Sequence, residues 1–246
     1  MSDWFGLTST SMFEPFGLSH WLVLLIATAG LFILVSAKKP LQHSPESFQW
    51  LRWLLFTLLV LSEVSYQIWT ISNGIWSFAA HVPLHLCGVA SITAAIALVT
   101  LNKRWIQISF FIGIAPAFLA LVTPDVPYDY EHYRFWKFFV HHTTIPWACL
   151  FLALTKPPFI TFRSVFFVYG LLLAYAFVIG VFVNPLIDAN YLYLEQTPTA
   201  DTLLNVFGEG WFYYINLSLT ALGVFLLQYG VWRFIHDRNI RSSNHR

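Results

Sequence analysis

Seven stretches of mostly apolar residues recur along this chain, each about as long as the 20 or so residues a helix needs to cross the hydrocarbon core. They run from Phe16 to Ser36, Trp50 to Ile71, Val82 to Leu101, Ile106 to Val122, Phe135 to Leu154, Val165 to Leu186, and Trp211 to Ile235. The third and fifth are the least hydrophobic, because histidines interrupt them. The fold class that follows is all-α: a polytopic membrane helix bundle of seven transmembrane helices. Composition agrees, with 57% hydrophobic and only 10% charged residues, against about 25% charged in soluble domains. A soluble globule and a disordered chain are excluded. The net charge of +1 implies no polyanion, so no nucleic-acid partner is expected. Two cysteines cannot build a disulfide framework.

Orientation follows from the basic residues, which accumulate in cytoplasmic loops. Eleven of the thirteen Lys and Arg fall on one side: Lys38, Lys39, Arg52, Lys103, Arg104, Lys156, Arg163, Arg233, Arg238, Arg241 and Arg246. The other side has Arg134 and Lys137 with nine of the twelve acids: Asp3, Glu14, Asp125, Asp129, Glu131, Asp188, Glu195, Asp201 and Glu209. This alternation predicts an N-terminus outside, a C-terminus inside and a multi-pass protein of the cell (plasma) membrane. The start MSDWFGLTS lacks a basic n-region, so the first stretch does not read as a cleaved signal. Most tryptophans sit near span ends, as an aromatic belt places them, with Trp147 the exception. No linker splits the chain, so residues 1–246 read as one transmembrane domain. The connection at about 184–210 contains Asn190-Tyr191-Leu192-Tyr193-Leu194, too apolar for a loose linker, and reads as an extracellular cap over the bundle.

Ionisable groups within spans are costly and commonly mark function. At about 1.5 Å per residue, Cys87, His141, His142, Glu63, Gln67, His20, Tyr175 and Asn216 all fall in the outer half of the bundle. A polar cavity opening outward is the expectation. Each residue also has a structural reading: Cys87 as a small buried hydrophobe, a histidine as an interhelical hydrogen-bonder, Glu63 as half of a pair with a histidine or tyrosine. Cys149, near the bilayer centre, reads as core. His81 and His85 stand at i and i+4, and with His141, His142 or Glu63 could form a zinc set. Pro83 between them weakens that reading, and neither metal nor cofactor is expected. A nucleophile reading joins Cys87 to a histidine at equal depth, which takes the thiol proton and then serves as acid and base. His85 lies about 200° round the helix from Cys87, so the partner comes from span five.

The segments Val82-Pro-Leu-His-Leu-Cys87, Trp136-Lys-Phe-Phe-Val-His-His142, and Asn190-Tyr-Leu-Tyr-Leu194 with Pro198 resemble the YwaF family of bacterial integral membrane proteins. That family is related to the eukaryotic transmembrane protein 164, an intramembrane acyltransferase acting on ether phospholipids. More distantly it is similar to the androgen-induced membrane hydrolases of fatty-acid esters, whose nucleophile is a threonine. The resemblance runs from about Glu63 to Trp211. It implies that Cys87 is the nucleophile and that His142, at the end of the Phe-Phe-x-x-His run, matches better than His141 as the base.

The function expected is therefore acyl transfer or lipid ester hydrolysis by a Cys87/His142 dyad, with membrane lipids (phospholipid or fatty-acid ester) as partners. Asn216, Thr143 and Tyr191 are candidate oxyanion donors. Glu63 and Asn190 are candidates to orient the imidazole, and His85 and His141 complete the supporting set. Rival readings are a small-solute transporter and a non-catalytic membrane binding protein or sensor. A retinal protein is excluded by the absence of lysine from span seven. Parallel repeats of Pro-interrupted helices, which sugar carriers show, are not found.

Overall fold

The central element is the helix that the sequence makes least hydrophobic. A computed structural model describes residues 4–197 and 203–243; Asp3, Pro198, Asp201 and Arg246 of the readings above lie outside the described residues. Helix α6 (Tyr133–Thr155) is buried along most of its length, with Phe135, Phe139 and every residue from His141 to Leu154 except Trp147 inside the bundle. A helix buried all round needs partners on every side. They are α1 (Leu18–Ser36), α3 (Gln49–Ser72), α4 (Leu86–Thr100) and α5 (Lys103–Val122), which surround it. The short α2 (Lys38–His43) connects α1 to α3.

The layer is completed by α7 (Phe162–Val178), extended through a π-turn at Ile179–Val183 into α8 (Asn184–Ile187), and by α9 (Gly210–Ser243). Among the described residues there is no strand, only one isolated bridge between Met12 and Tyr128. That bridge lays the N-terminal segment across the α5–α6 connection, where Tyr133 N–H donates to the Trp4 carbonyl (2.9 Å) and His132 Nε2 to that of Gly6 (2.9 Å).

Among the described residues six helical segments are long and apolar enough to cross a membrane: Leu18–Ser36, Pro45–Ser72, Lys103–Val122, Tyr133–Thr155, Phe162–Ile187 and Gly210–His236. They match six of the seven expected spans to within a few residues. The third expected span, Val82 to Leu101, is not among them. Its helix starts only at Leu86 and has 15 residues, about 22 Å at 1.5 Å per residue, short of the roughly 30 Å core. Pro83 interrupts the chain there, and its carbonyl packs so closely on Gly88 that an added Cβ would stand 2.5 Å from the oxygen.

The lead into α4 therefore holds only one helical turn, His81 N donating to Ser77 O (3.1 Å), and its other carbonyls need other donors. Side chains supply them. Gln67 Nε2 donates to His81 O (2.7 Å), Tyr175 Oη to Leu84 O (2.7 Å) and Tyr191 Oη to Phe78 O (2.5 Å). The lead is held between α3, α7 and the segment after α8.

The core at the end of the bundle bearing Lys38, Arg52, Lys103 and Lys156 is apolar and closely packed. Ala90, Ala94 and Ala97 of α4 let α5 and α6 approach, and Phe110 and Phe111 of α5 meet Trp232 and Phe225 of α9 at ring distances of 5.5 and 5.3 Å. At the other end, called here the cap end, α9 diverges from α5 and a cavity opens.

Candidate functional site

The cavity at the cap end has a volume of about 1020 Å³, at the top of the range of small-molecule pockets. Its wall is mostly apolar: Pro116 and Leu119 from α5, Leu172 and Phe177 from α7, Leu217 and Ala221 from α9. Several of these also face outward, with Leu119, Phe177 and Trp211 exposed at the bundle surface where lipid chains would stand.

The polar side of the cavity is built by α3, α4 and α6. Cys87, in the first turn of α4, lines it, as do His141 and His142 of α6 and Glu63 of α3. The two histidines are held differently. His142 stacks on Phe138 (ring distance 4.0 Å) and its Nδ1 bonds the Phe138 carbonyl at 2.8 Å. A carbonyl only accepts, so Nδ1 carries the proton and Nε2 is left as an acceptor, the tautomer a general base requires. His141 Nδ1 instead meets Ser62 Oγ at 2.7 Å, and its ring also reaches the backbone of Cys87. His141 thus ties α3, α4 and α6 together, while His142 presents its free nitrogen to the cavity. Among the described residues, no hydrogen bond joins the Cys87 sulfur to either ring.

The imidazole of His142 is therefore oriented by its own helix, not by Glu63 or Asn190 as the sequence suggested. Asn190 turns back into its loop, where Nδ2 donates to Gln196 O (2.7 Å) and Oδ1 accepts from Glu195 N (3.0 Å). Glu63 is engaged elsewhere. Its Oε1 accepts from Gln67 Nε2 (2.7 Å), and its Oε2 stands 3.9 Å from Lys137 Nζ, with side chains only 21% and 16% exposed.

Lys137, near the start of the fifth expected span, is the cavity residue that counting charges by side overlooks, since it enters that count only as a charge of the outer side. Its ammonium lies 4.1 Å from the centre of the Tyr66 ring and within electrostatic reach of Cys87. The signal was present: Lys137 stands four residues before His141 on one helical face.

The remaining candidates separate. Tyr191 is fully buried and spends its hydroxyl on Phe78 O. Its neighbour Tyr193 lines the cavity instead, within electrostatic reach of Cys87 and Asp125. Burial pushes the Tyr193 hydroxyl above its ordinary pKa, so it remains a proton-bearing donor. His85 caps α4 and its ring lies between Tyr191 and Tyr193, at 5.1 and 5.0 Å. Asn216 donates to Phe207 O (3.0 Å), on the exposed side of α9, and Thr143 is buried in the helix packing, so neither reaches the cavity wall.

His81 and His85 do not share a helical face, because both precede the first residue of α4. No group of three His, Cys, Asp or Glu with metal-site geometry occurs among the described residues. Several polar groups that sequence depth placed with the site are structural. His20 bonds the Leu121 carbonyl through Nε2 (2.7 Å) and accepts from Phe16 N at Nδ1 (2.9 Å), and Gln67 and Tyr175 hold the lead into α4.

In comparison with known proteins, the model of the TMEM164 family matches the chain over residues 15–229. No curated protein and no solved structure matches the chain.

Proposed function

The chain belongs to the TMEM164 family, and from that premise we propose that this multi-pass membrane protein is an intramembrane acyltransferase or lipid ester hydrolase using Cys87 and His142. The observation that carries the reading is the joint placement of Cys87 and a base-competent His142 on the wall of one large, mainly apolar cavity. The cavity's apolar wall suits an acyl chain entering from the bilayer between α5 and α9. Beneath it the bundle is close-packed around Ala90, Phe111 and Ile145, which favours a reaction chamber over a solute path. Kinship with bacterial YwaF proteins and the androgen-induced hydrolases, an outward-facing cap and residence in the plasma membrane belong to the same proposal.

In the first half-reaction the Cys87 thiol proton passes to His142 Nε2 and the sulfur attacks the ester carbonyl carbon. The tetrahedral intermediate collapses with cleavage of the C–O bond, and the leaving alcohol takes the proton from His142. An acyl-cysteine thioester remains. His142 then removes a proton from water or a second lipid's hydroxyl, whose oxygen attacks the thioester; the returning proton restores the thiol. A thiol–imidazole separation longer than a hydrogen bond is compatible with a resting site that tightens around substrate.

The test is acyl release or transfer in proteoliposomes of phosphatidylethanolamine and phosphatidylglycerol carrying a phospholipid with a radiolabelled acyl chain and a lysophospholipid acceptor. Wild-type protein is expected to move the label to free fatty acid or to the acceptor, and Cys87→Ala to abolish this. Turnover by Cys87→Ala at the wild-type rate would falsify the mechanism.

A further inference from the structure

We infer that Lys137 is a further catalytic residue of this site: its ammonium, held by Glu63 and Tyr66 on the cavity wall that Cys87 also lines, stabilises negative charge on the reacting sulfur and on the oxygen of the carbonyl whose carbon the sulfur attacks. The inference rests on the acyl-transfer reading above.

A buried ammonium is costly unless it is paired, and here it is only partly paired. The Glu63 carboxylate oxygen stands 3.9 Å away, too long for a hydrogen bond. The Tyr66 face at 4.1 Å contributes cation–π attraction without occupying a hydrogen-bond acceptor site. Glu63 meanwhile spends its other oxygen on Gln67, which in turn is fixed by His81 O and by Trp76, whose Nε1 donates to Gln67 Oε1 at 2.8 Å. The carboxylate is thus anchored from α3 and cannot follow the lysine freely. The result is a located cation with N–H groups left to point into the cavity.

The charged and titratable groups facing it are Glu63 and Tyr66 from α3, Cys87 from α4, and Arg134, His141 and His142 from its own helix. Cys87 is the one among them that becomes anionic in the proposed reaction, and apart from the imidazolium its proton creates on His142 the fixed positive charges on the cavity wall are Lys137 and Arg134. The His141 contact to the Cys87 backbone, one helical turn on from Lys137, brings the start of α4 against this face of α6. In a water-poor cavity a fixed positive charge at that place acts on the thiolate and then on the oxyanion, which forms on the carbon bonded to the same sulfur. No bond to Lys137 forms or breaks, and it keeps its protons throughout.

The experiment compares wild type, Lys137→Met and Lys137→Gln in proteoliposomes of the composition above. It reads the iodoacetamide alkylation rate of Cys87 at fixed pH by peptide mass spectrometry, alongside acyl turnover. Melting in detergent checks that each variant is folded. Alkylation is expected to slow about tenfold and kcat to fall about 100-fold with KM little changed in both variants. Lys137→Gln keeps a polar side chain of similar reach and serves if Lys137→Met does not fold. Alkylation and turnover within about threefold of wild type in either folded variant overturn the inference. Loss of activity in Cys87→Ala with unchanged Lys137 variants sinks the lysine's role alone. An active Cys87→Ala sinks the acyl-cysteine reading and the inference together.

Discussion

Glu63 and Lys137 set the residue scale. The sequence rightly treats a carboxylate in a span as needing a partner, but it looks for that partner among histidines and tyrosines, because Lys137 enters only the count of charges on the outer side. Its partner is this lysine, one turn from His141 on α6. Distances between helices are what a linear sequence lacks; the i,i+4 spacing of Lys137 and His141 was visible, its register against α3 was not. The same limit applies to the adjacent histidines. Their 100° separation shows that they face different ways, while the roles emerge only from Ser62 and Phe138. His141→Ala is expected to remove the tie between Ser62 and the start of α4 and to lower the melting temperature in detergent. His142→Ala is expected to leave melting close to wild type and to reduce acyl turnover by about 10²–10⁴-fold, the usual range for a general base. Equal turnover losses with melting reversed between the two would exchange their roles.

At the scale of elements, six helices were legible because length and apolar content alone define them. The seventh was not, since Pro83 and Gly88 change the backbone without lowering hydropathy. An apolar run of the right length was filled by an extended lead and a short helix. The polar residues that seemed to crowd one depth as a single site serve two purposes. Glu63, Cys87, His141 and His142 line the cavity, whereas Gln67, Tyr175 and Tyr191 satisfy carbonyls of the lead. The cap is locked by a similar device. Asn184, 1% exposed, donates through Nδ2 to Tyr191 O (3.1 Å) and accepts at Oδ1 from Tyr191 N (3.0 Å), pinning Leu192 and Tyr193 in left-handed backbone over the cavity. Asn184→Ala leaves both backbone groups buried without a partner, at a cost of about 1–3 kcal/mol each. Faster hydrogen exchange across 188–197, with the helices unchanged, is the expected result. Exchange unaltered there would mean that the clamps from Tyr213 and Tyr214 to the carbonyls of Tyr193 and Leu194 hold the cap without Asn184.

For the whole molecule, the number of crossings decides where the termini lie, and the short α4 makes that number the central question. An odd count puts the two termini on opposite sides, and an even count puts them on the same side. In the structure α4 runs antiparallel to α3. Gln67 holds His81 at the start of the lead, and Arg52, near the beginning of α3, donates to Leu98 O and Val99 O at the end of α4. The lead and α4 together therefore travel the depth that α3 travels, despite the helix being short. The basic residues support the same path: Arg52, Lys103 and Arg104 gather at one end of the bundle although α4 lies between them in sequence. A re-entrant α4 would carry Lys103 and Arg104 to the cap end, and the alternation of charge would be lost. Reporter fusions in bacterial cells test this directly. Green fluorescent protein at the C-terminus is expected to fluoresce and alkaline phosphatase there to be inactive. Alkaline phosphatase inserted after Gly74, ahead of the lead, or after Asp129, in the α5–α6 connection, is expected to be active, and inserted after Asn102, between α4 and α5, to be inactive. An active phosphatase at the C-terminus would overturn the orientation, and activity after both Gly74 and Asn102 would make α4 re-entrant.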